Sequence, residues 1–207
     1  MSPPLPAIFI ADSPGLDFLN SIATPMDVAV DWIDSGTGLL AWLDQAQLVP
    51  HATLEEIRER ALPGELERIA GQARNLREWF RAFVREHKGT RLTAAALAQL
   101  EPLNLLLERD ERYGRVVADA QAESTGLELQ SLRRWRSPQS LLQPIGEVLA
   151  RLVTEENFEF IKACEGPTCT LLFTDHTRGH SRRWCSMEIC GNRAKQAAHR
   201  NRLKEHH

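Results

Sequence analysis

All four cysteines of this 207-residue chain lie in one short stretch near its carboxyl end: Cys164, Cys169, Cys185 and Cys190. They form two C-x4-C pairs with residues 170–184 between them. Zinc prefers four soft ligands in a tetrahedron about 2.3 Å from the metal, and two short loops that each offer two thiolates build that shell simply. The first loop, Glu165-Gly166-Pro167-Thr168, has the Gly-Pro needed to turn sharply. Residues 158–162 and 171–174 around it are β-formers and read as the arms of a small hairpin. The usual spacing is C-x2-C, so x4 loosens the pattern, and the clustering compensates. Two readings compete with structural zinc. Two disulfides would need an oxidising compartment, and unliganded core cysteines would need no metal at all. His176 and His180 lie between the pairs and are expected at the surface or facing phosphates rather than in the shell. Four cysteines leave no open position, so a structural rather than catalytic Zn2+ is expected.

The module around these cysteines has few large apolar residues. Zinc supplies on the order of 10 kcal/mol in small modules, enough to hold such a segment together. The rest of the chain is long enough to bury roughly 70 % of its surface without staples. It contains 43 % hydrophobic and 26 % charged residues, which excludes a disordered chain. No apolar run is long enough to span a membrane. The apolar start carries three prolines and no basic segment, so no secretory signal is expected, and a cytoplasmic protein is.

Hydrophobic spacing predicts a mainly α body. Residues 7–10 read as a short strand. A short helix holds Leu16, Phe18, Leu19 and Ile22, with Pro25 ending it. A second helix carries Leu39, Leu40, Trp42, Leu43 and Leu48. Thr53 and Glu56 form a capping box that opens a third. The longest run, from Leu66 to Val84, recurs at three and four residues, with Gly89 as its stop. Arg74, Arg77, Arg81 and Arg85 alternate there with glutamates, which reads as a solvated face. Residues 93–108 look helical, with Pro102 expected to break or kink them. Residues 115–120 and 127–132 read as a hairpin. Ser137-Pro138 opens the last body helix.

The formal charge of −3 hides a split. Residues 1–160 hold 16 basic and 24 acidic side chains, and residues 161–207 hold nine basic and four acidic ones. A basic module that meets a polyanion, attached to an acidic body, fits that asymmetry. Asp12, Asp17, Asp27, Asp31 and Asp34 read as an acidic surface. No nucleotide-binding loop, nucleophile–base pair or paired carboxylates stand out, so no enzyme is expected.

The run Trp184-Cys185-Ser186-Met187-Glu188-Ile189-Cys190-Gly191-Asn192-Arg193-Ala194-Lys195 resembles the signature of the CGNR zinc-finger proteins. Cys164-x4-Cys169 and Ser181-Arg182-Arg183-Trp184 also fit that family. The front of the chain is similar to the ABATE domain that usually accompanies this finger. Its marks are Leu16-Asp17-Phe18-Leu19-Asn20-Ser21 and Leu39-Leu40-Ala41-Trp42-Leu43, with Ser21 standing where Thr is expected. Members are described as candidate stress-induced transcription regulators of bacteria. The resemblance implies that the finger binds DNA and that the helical domain senses a ligand.

The fold expected is therefore mainly α with short β hairpins. A helical regulatory domain (1–160) is followed by a treble-cleft-like or ribbon-like zinc module (161–207) that ends in a basic helix. Residues 192–205 lack Pro and Gly and are rich in helix formers. Such a helix, pinned at the metal, has the dimensions to enter a DNA major groove. Arg182, Arg183, Asn192, Arg193, Lys195, Gln196, His199, Arg200, Arg202 and Lys204 are the candidate contacts with duplex DNA. A homodimer would supply enough phosphate contacts for tight binding. Asn20, Trp32 and Trp42 are candidates to line a pocket for a small-molecule effector, although tryptophans at helical spacing more often pack a core. The alternative is a zinc-stabilised protein-interaction module without DNA binding.

Overall fold

The computed structural model describes residues 6–24, 28–118 and 126–196. The body is helical, as expected, with short two-stranded antiparallel sheets at its margins. Helix α1 (Pro14–Leu19) starts with Pro14 in its first turn, where a missing N–H breaks no helical bond. A Cβ on Gly15 would lie 2.7 Å from the Val148 carbonyl oxygen and 2.9 Å from the Leu152 Cβ. Only glycine lets α1 approach α6 (Leu142–Glu155) that closely. Strands β1 (Ile22–Ala23) and β2 (Val30–Asp31) pair next, so Ile22 is in a strand and not on the first helix.

Helix α2 (Gly36–Gln45) is capped by Ser35, whose Oγ accepts the Gly38 N–H at 3.1 Å. Helix α3 (His51–Arg60) begins at Pro50, whose preset φ of −58° turns the chain into it. Thr53 therefore lies inside the helix, and the expected capping box does not form. Helix α4 (Glu65–His87) is the long amphipathic element that the spacing predicts, and Gly89 follows it with φ +80°. Residues 93–108 form two pieces. A 3-10 segment, Ala94–Leu100, runs into α5 (Glu101–Leu107), and Pro102 opens that helix instead of kinking it. Strands β3 (Arg112–Ala118) and β4 (Leu127–Arg133) make the expected antiparallel hairpin, with Val116 opposite Leu129. No strand forms at residues 7–10.

The core lies where α1, α2, α4 and α6 meet, with Leu16, Leu39, Leu43, Phe80, Ile145 and Leu149 fully buried. Trp42 packs there against the rings of Phe9 and Phe18 at 5.8 and 5.6 Å. Trp42 and Asn20 are each 1 % exposed, so neither offers a surface to an effector. The Trp32 N–H donates to the Ser21 carbonyl and ties β2 to the end of α1. Asn20 and Trp42 therefore build structure, while Trp32 is half-buried.

The arginines of α4 depart most from expectation. Arg77 and Arg81 are buried, at 2 % and 4 % exposure, and Arg74 donates to the Ile33 and Asp34 carbonyls at 2.8 and 2.7 Å. Arg77 forks onto Asp31 at 2.7 and 2.9 Å and reaches Ser21 Oγ at 3.1 Å. Of the four, Arg85 is exposed. The expected acidic surface is correspondingly occupied: Asp31 by Arg77, Asp12 by Arg182, and Asp17 by the Ala11 N–H at 3.1 Å. Asp27 lies outside the described residues. Among the described residues no helix is long and apolar enough to cross a membrane.

Candidate metal centre

The first cysteine pair sits on the predicted hairpin. Strands β5 (Ile161–Ala163) and β6 (Leu172–Thr174) pair antiparallel, and the Cys164 N–H extends the ladder to the Leu171 carbonyl at 2.9 Å. Cys164 thus leaves the end of β5 while Cys169 precedes β6. The turn between them closes through the Cys169 N–H on the Gly166 carbonyl at 3.1 Å. The second pair is shaped by a tight turn, Met187–Gly191. The Ser186 hydroxyl caps it by accepting the N–H groups of Glu188 and Ile189, and the Ser186 carbonyl accepts those of Cys190 and Gly191. The Glu165 N–H donates to the Arg183 carbonyl at 3.0 Å, which holds the two loops together.

The four sulfur atoms all lie within 4.8 Å of one another. Cys169 and Cys185 Sγ are 3.8 Å apart, and Cys185 and Cys190 Sγ 3.5 Å. Tetrahedral zinc with bonds near 2.3 Å sets its sulfurs about 3.8 Å apart. Three of the cysteines are buried and Cys169 is half-buried. A Cβ on Gly166 would fall 2.9 Å from the Cys169 Cβ and 3.1 Å from the Cys190 sulfur. The loop therefore needs glycine to close over the cage. A soft, buried, tetrahedrally spaced donor set fits zinc, and all four predicted ligands are brought together. Neither histidine joins them. His176 pairs with Glu156 at 2.8 Å, and His180 stacks on Phe160 at 3.5 Å between ring centres.

Charge is distributed unevenly over the sulfurs. Cys164 accepts from the thiols of Cys169 and Cys185 and from the Cys185 and Gly166 N–H groups, which bring its thiol down to about 2. Its negative sulfur in turn pushes the Cys169 and Cys185 thiols up, and burial pushes Cys190 up to about 12. Ionising all four sulfurs at this spacing requires a cation.

Sequence reasoning missed the residue that organises the intervening loop. Asp175 is fully buried and accepts four hydrogen bonds: from Lys162 Nζ and the Arg182 N–H, both at 2.8 Å, and from the Thr177 N–H and hydroxyl at 3.1 and 2.6 Å. Burial opposes its charge, but these donors hold the carboxyl well below the usual carboxylate range. The Asp-x-Thr spacing of an Asx turn was the available signal.

The module is also sewn to the body. The Asn20 side-chain amide donates to the Leu172 carbonyl at 2.8 Å and accepts the Leu172 N–H at 3.0 Å, acting as a third strand beside β6. The Thr174 N–H donates to the Ala11 carbonyl, and Arg81 Nη2 donates to the Thr170 carbonyl at 2.9 Å. Arg182 faces inward. It bonds Asp12, the Ile10, Trp184 and Cys185 carbonyls, and the face of Phe173. In this structure its guanidinium serves a structural role, with four of its five N–H groups taken by these partners. Replacing Asn20 by Ala should strand both Leu172 backbone groups and cost roughly 3 kcal/mol. A urea midpoint that does not move in Asn20→Ala would remove Asn20 from this role.

Arg183, Asn192, Arg193, Lys195 and Gln196 are all at the surface, with Arg183 paired to Glu165 at 2.6 Å. Asn192, Arg193, Lys195 and Gln196 belong to a helical stretch, 192–196, that continues from the turn holding Cys190. His199, Arg200, Arg202 and Lys204 lie outside the described residues.

Comparison with known proteins agrees with this architecture. The family model of the CGNR zinc finger matches residues 161–203, and that of ABATE, described as "Putative stress-induced transcription regulator", matches residues 12–156. No curated protein matches the chain. With one family covering the helical body and the other the cysteine cage, the chain belongs to the ABATE family and carries a CGNR zinc finger at its carboxyl end.

Proposed function

We propose that the protein is a DNA-binding transcription regulator of the stress-response type, in which the sulfur-held module presents a short basic helix to duplex DNA. The observation that carries this reading is the exposure of Asn192, Arg193, Lys195 and Gln196 on the stretch that rises from Cys190. Arg and Lys neutralise phosphates there, while Asn and Gln can read base edges. Zn2+ bound by the four cysteines would supply rigidity and no chemistry, fixing the direction in which residues 192–196 leave the cage. The excess of basic over acidic residues in 161–207 supports the same reading. One such module makes few phosphate contacts, so tight binding calls for a homodimer. An effector acting on the body belongs to the proposal as well, at a place other than Asn20 and Trp42.

The zinc-loaded chain should bind duplex DNA with log affinity falling linearly in log salt, at a slope of about −0.9 per neutralised phosphate. Arg193→Gln with Lys195→Gln should flatten that slope and weaken binding to all sequences alike. Absence of any mobility shift on genomic fragments at low salt would sink the reading. A protein-docking role draws support from a different observation. Val116, Leu127 and Leu129 share one face of the β3–β4 hairpin and are 64 %, 60 % and 75 % exposed. Partner binding through that face would survive the Arg193 and Lys195 substitutions.

A further inference from the structure

A groove of about 600 Å³ opens beside the cysteine cage. It is lined by Thr177, Gly179 and Ser181 from the loop after β6, by Arg182 and Arg183, and by Trp184, Ser186 and Met187 around the second cysteine pair. Two of the lining segments are held by hydrogen bonds. The first is the loop that Asp175 pins from inside through Thr177 and the Arg182 N–H. The second contains the turn capped by Ser186. Gly191 closes under it, since a Cβ there would meet Met187 Sδ at 2.6 Å and Trp184 Cδ1 at 3.4 Å. The groove is therefore continuous with the start of the stretch carrying Arg193 and Lys195.

Its chemistry is divided. Its lining includes the half-buried Trp184, with the Arg183 guanidinium 5.1 Å from the centre of the indole, and the Met187 thioether at 51 % exposure. Cations lie close by in the chain. Arg178 is exposed between Thr177 and Gly179, which line the groove, and Arg193 and Lys195 are exposed on the stretch that follows Gly191. Glu165 pairs with Arg183, so among the described residues near the groove Arg178, Arg193 and Lys195 are offered to phosphate. An indole and a thioether with exposed cations close by in the chain match a nucleotide, with its base against the apolar groups and its phosphates on the cations. A base paired inside a duplex cannot lie against such groups, because its faces are covered by its stack.

We propose that this groove seats one unpaired nucleotide of a nucleic-acid strand, base against Trp184 and Met187, flanking phosphates on Arg178 and on Arg193 or Lys195. The proposal rests on the nucleic-acid reading above and narrows it, because it makes strand separation or an extruded base part of what the module recognises. To test it, the zinc-loaded full chain is titrated against a labelled mixed-sequence DNA single strand and against the duplex formed with its complement. Stacking of one base predicts about tenfold tighter binding to the single strand. Met187→Ser should erase most of that advantage, and Arg178→Gln should lower the single-strand salt slope by about 0.7 while leaving duplex affinity in place. Both side chains are exposed, so neither change threatens the fold. Equal affinity for the two forms, or an advantage untouched by both substitutions, overturns the inference. Duplex binding alone would overturn it while leaving the broader reading standing, and binding to neither form would overturn both.

Discussion

Cys185→Ser should abolish stoichiometric zinc binding and unfold the carboxyl-terminal module, the largest effect expected of any single substitution in this chain. Cys185 is 1 % exposed and its sulfur lies within 3.8 Å of those of Cys169 and Cys190. A hydroxyl there is a harder ligand that does not ionise at neutral pH, so the shell loses a quarter of its charge and its geometry together. Structural zinc contributes on the order of 10 kcal/mol near pH 7 in small modules. The damage should spread, because the module's β6 is an edge that Asn20, Arg81 and the Ala11 carbonyl lean on. Thermal unfolding of the body should therefore shift downward in the variant, and chelator treatment of the parent should reproduce it. Zinc uptake should also release several protons per ion, since three of the four sulfurs hold theirs more tightly than an ordinary thiol. Affinity should then fall steeply as pH falls. Native mass spectrometry gives the stoichiometry and calorimetry in two buffers gives the proton count. A Cys185→Ser sample that keeps one zinc per chain would contradict the assigned shell.

Arg77→Ala should destabilise the folded body by about 3–5 kcal/mol. The side chain is 2 % exposed and forks onto Asp31, whose carboxylate is 22 % exposed. Removing one member leaves the other charge largely out of water, and Ser21 Oγ loses a donor as well. Burial opposes the Asp31 charge, but the guanidinium beside it holds its carboxyl below the usual range. A depressed carboxylate pKa contributes stability that is present above the unfolded value near 4 and is lost as pH falls through the folded one. The gap between parent and Arg77→Ala should therefore be widest near neutral pH and narrow in acid. Replacing both partners, as Arg77→Met with Asp31→Leu, should recover most of the loss, because two apolar groups leave no buried charge. Urea midpoints across pH decide the matter. A gap that grows on acidification would show that Asp31 is not the partner that counts.

The two variants separate what could be read along the chain from what could not. The cysteine cage was legible because its chemistry is local: sulfur is a scarce ligand, and the x4 loops, the Gly-Pro turn and the β-forming arms all sit within a few residues of one another. The long helix α4 was legible for a similar reason, since a repeat of three and four residues reports its own geometry. Even the direction of Arg77 left a trace, four residues after Ala73 and three before Phe80 on the buried stripe. Its charge argued for water and the spacing argued for the core. Only tertiary structure settled the conflict, because the deciding partners are remote: Asp31 lies 46 residues from Arg77, Thr170 lies 89 from Arg81, and Leu172 lies 152 from Asn20. The same holds for Arg182, whose charge suits phosphate and whose neighbours Asp12 and Ile10 claim it instead. Ligand type and periodicity are written into consecutive residues, and so the cysteine cluster, the helical class and the sign of the charge at the carboxyl end could be read along the chain alone. Whether a given charge meets water or a buried acceptor depends on which distant backbone arrives beside it, and that was decided only when the module closed onto the body.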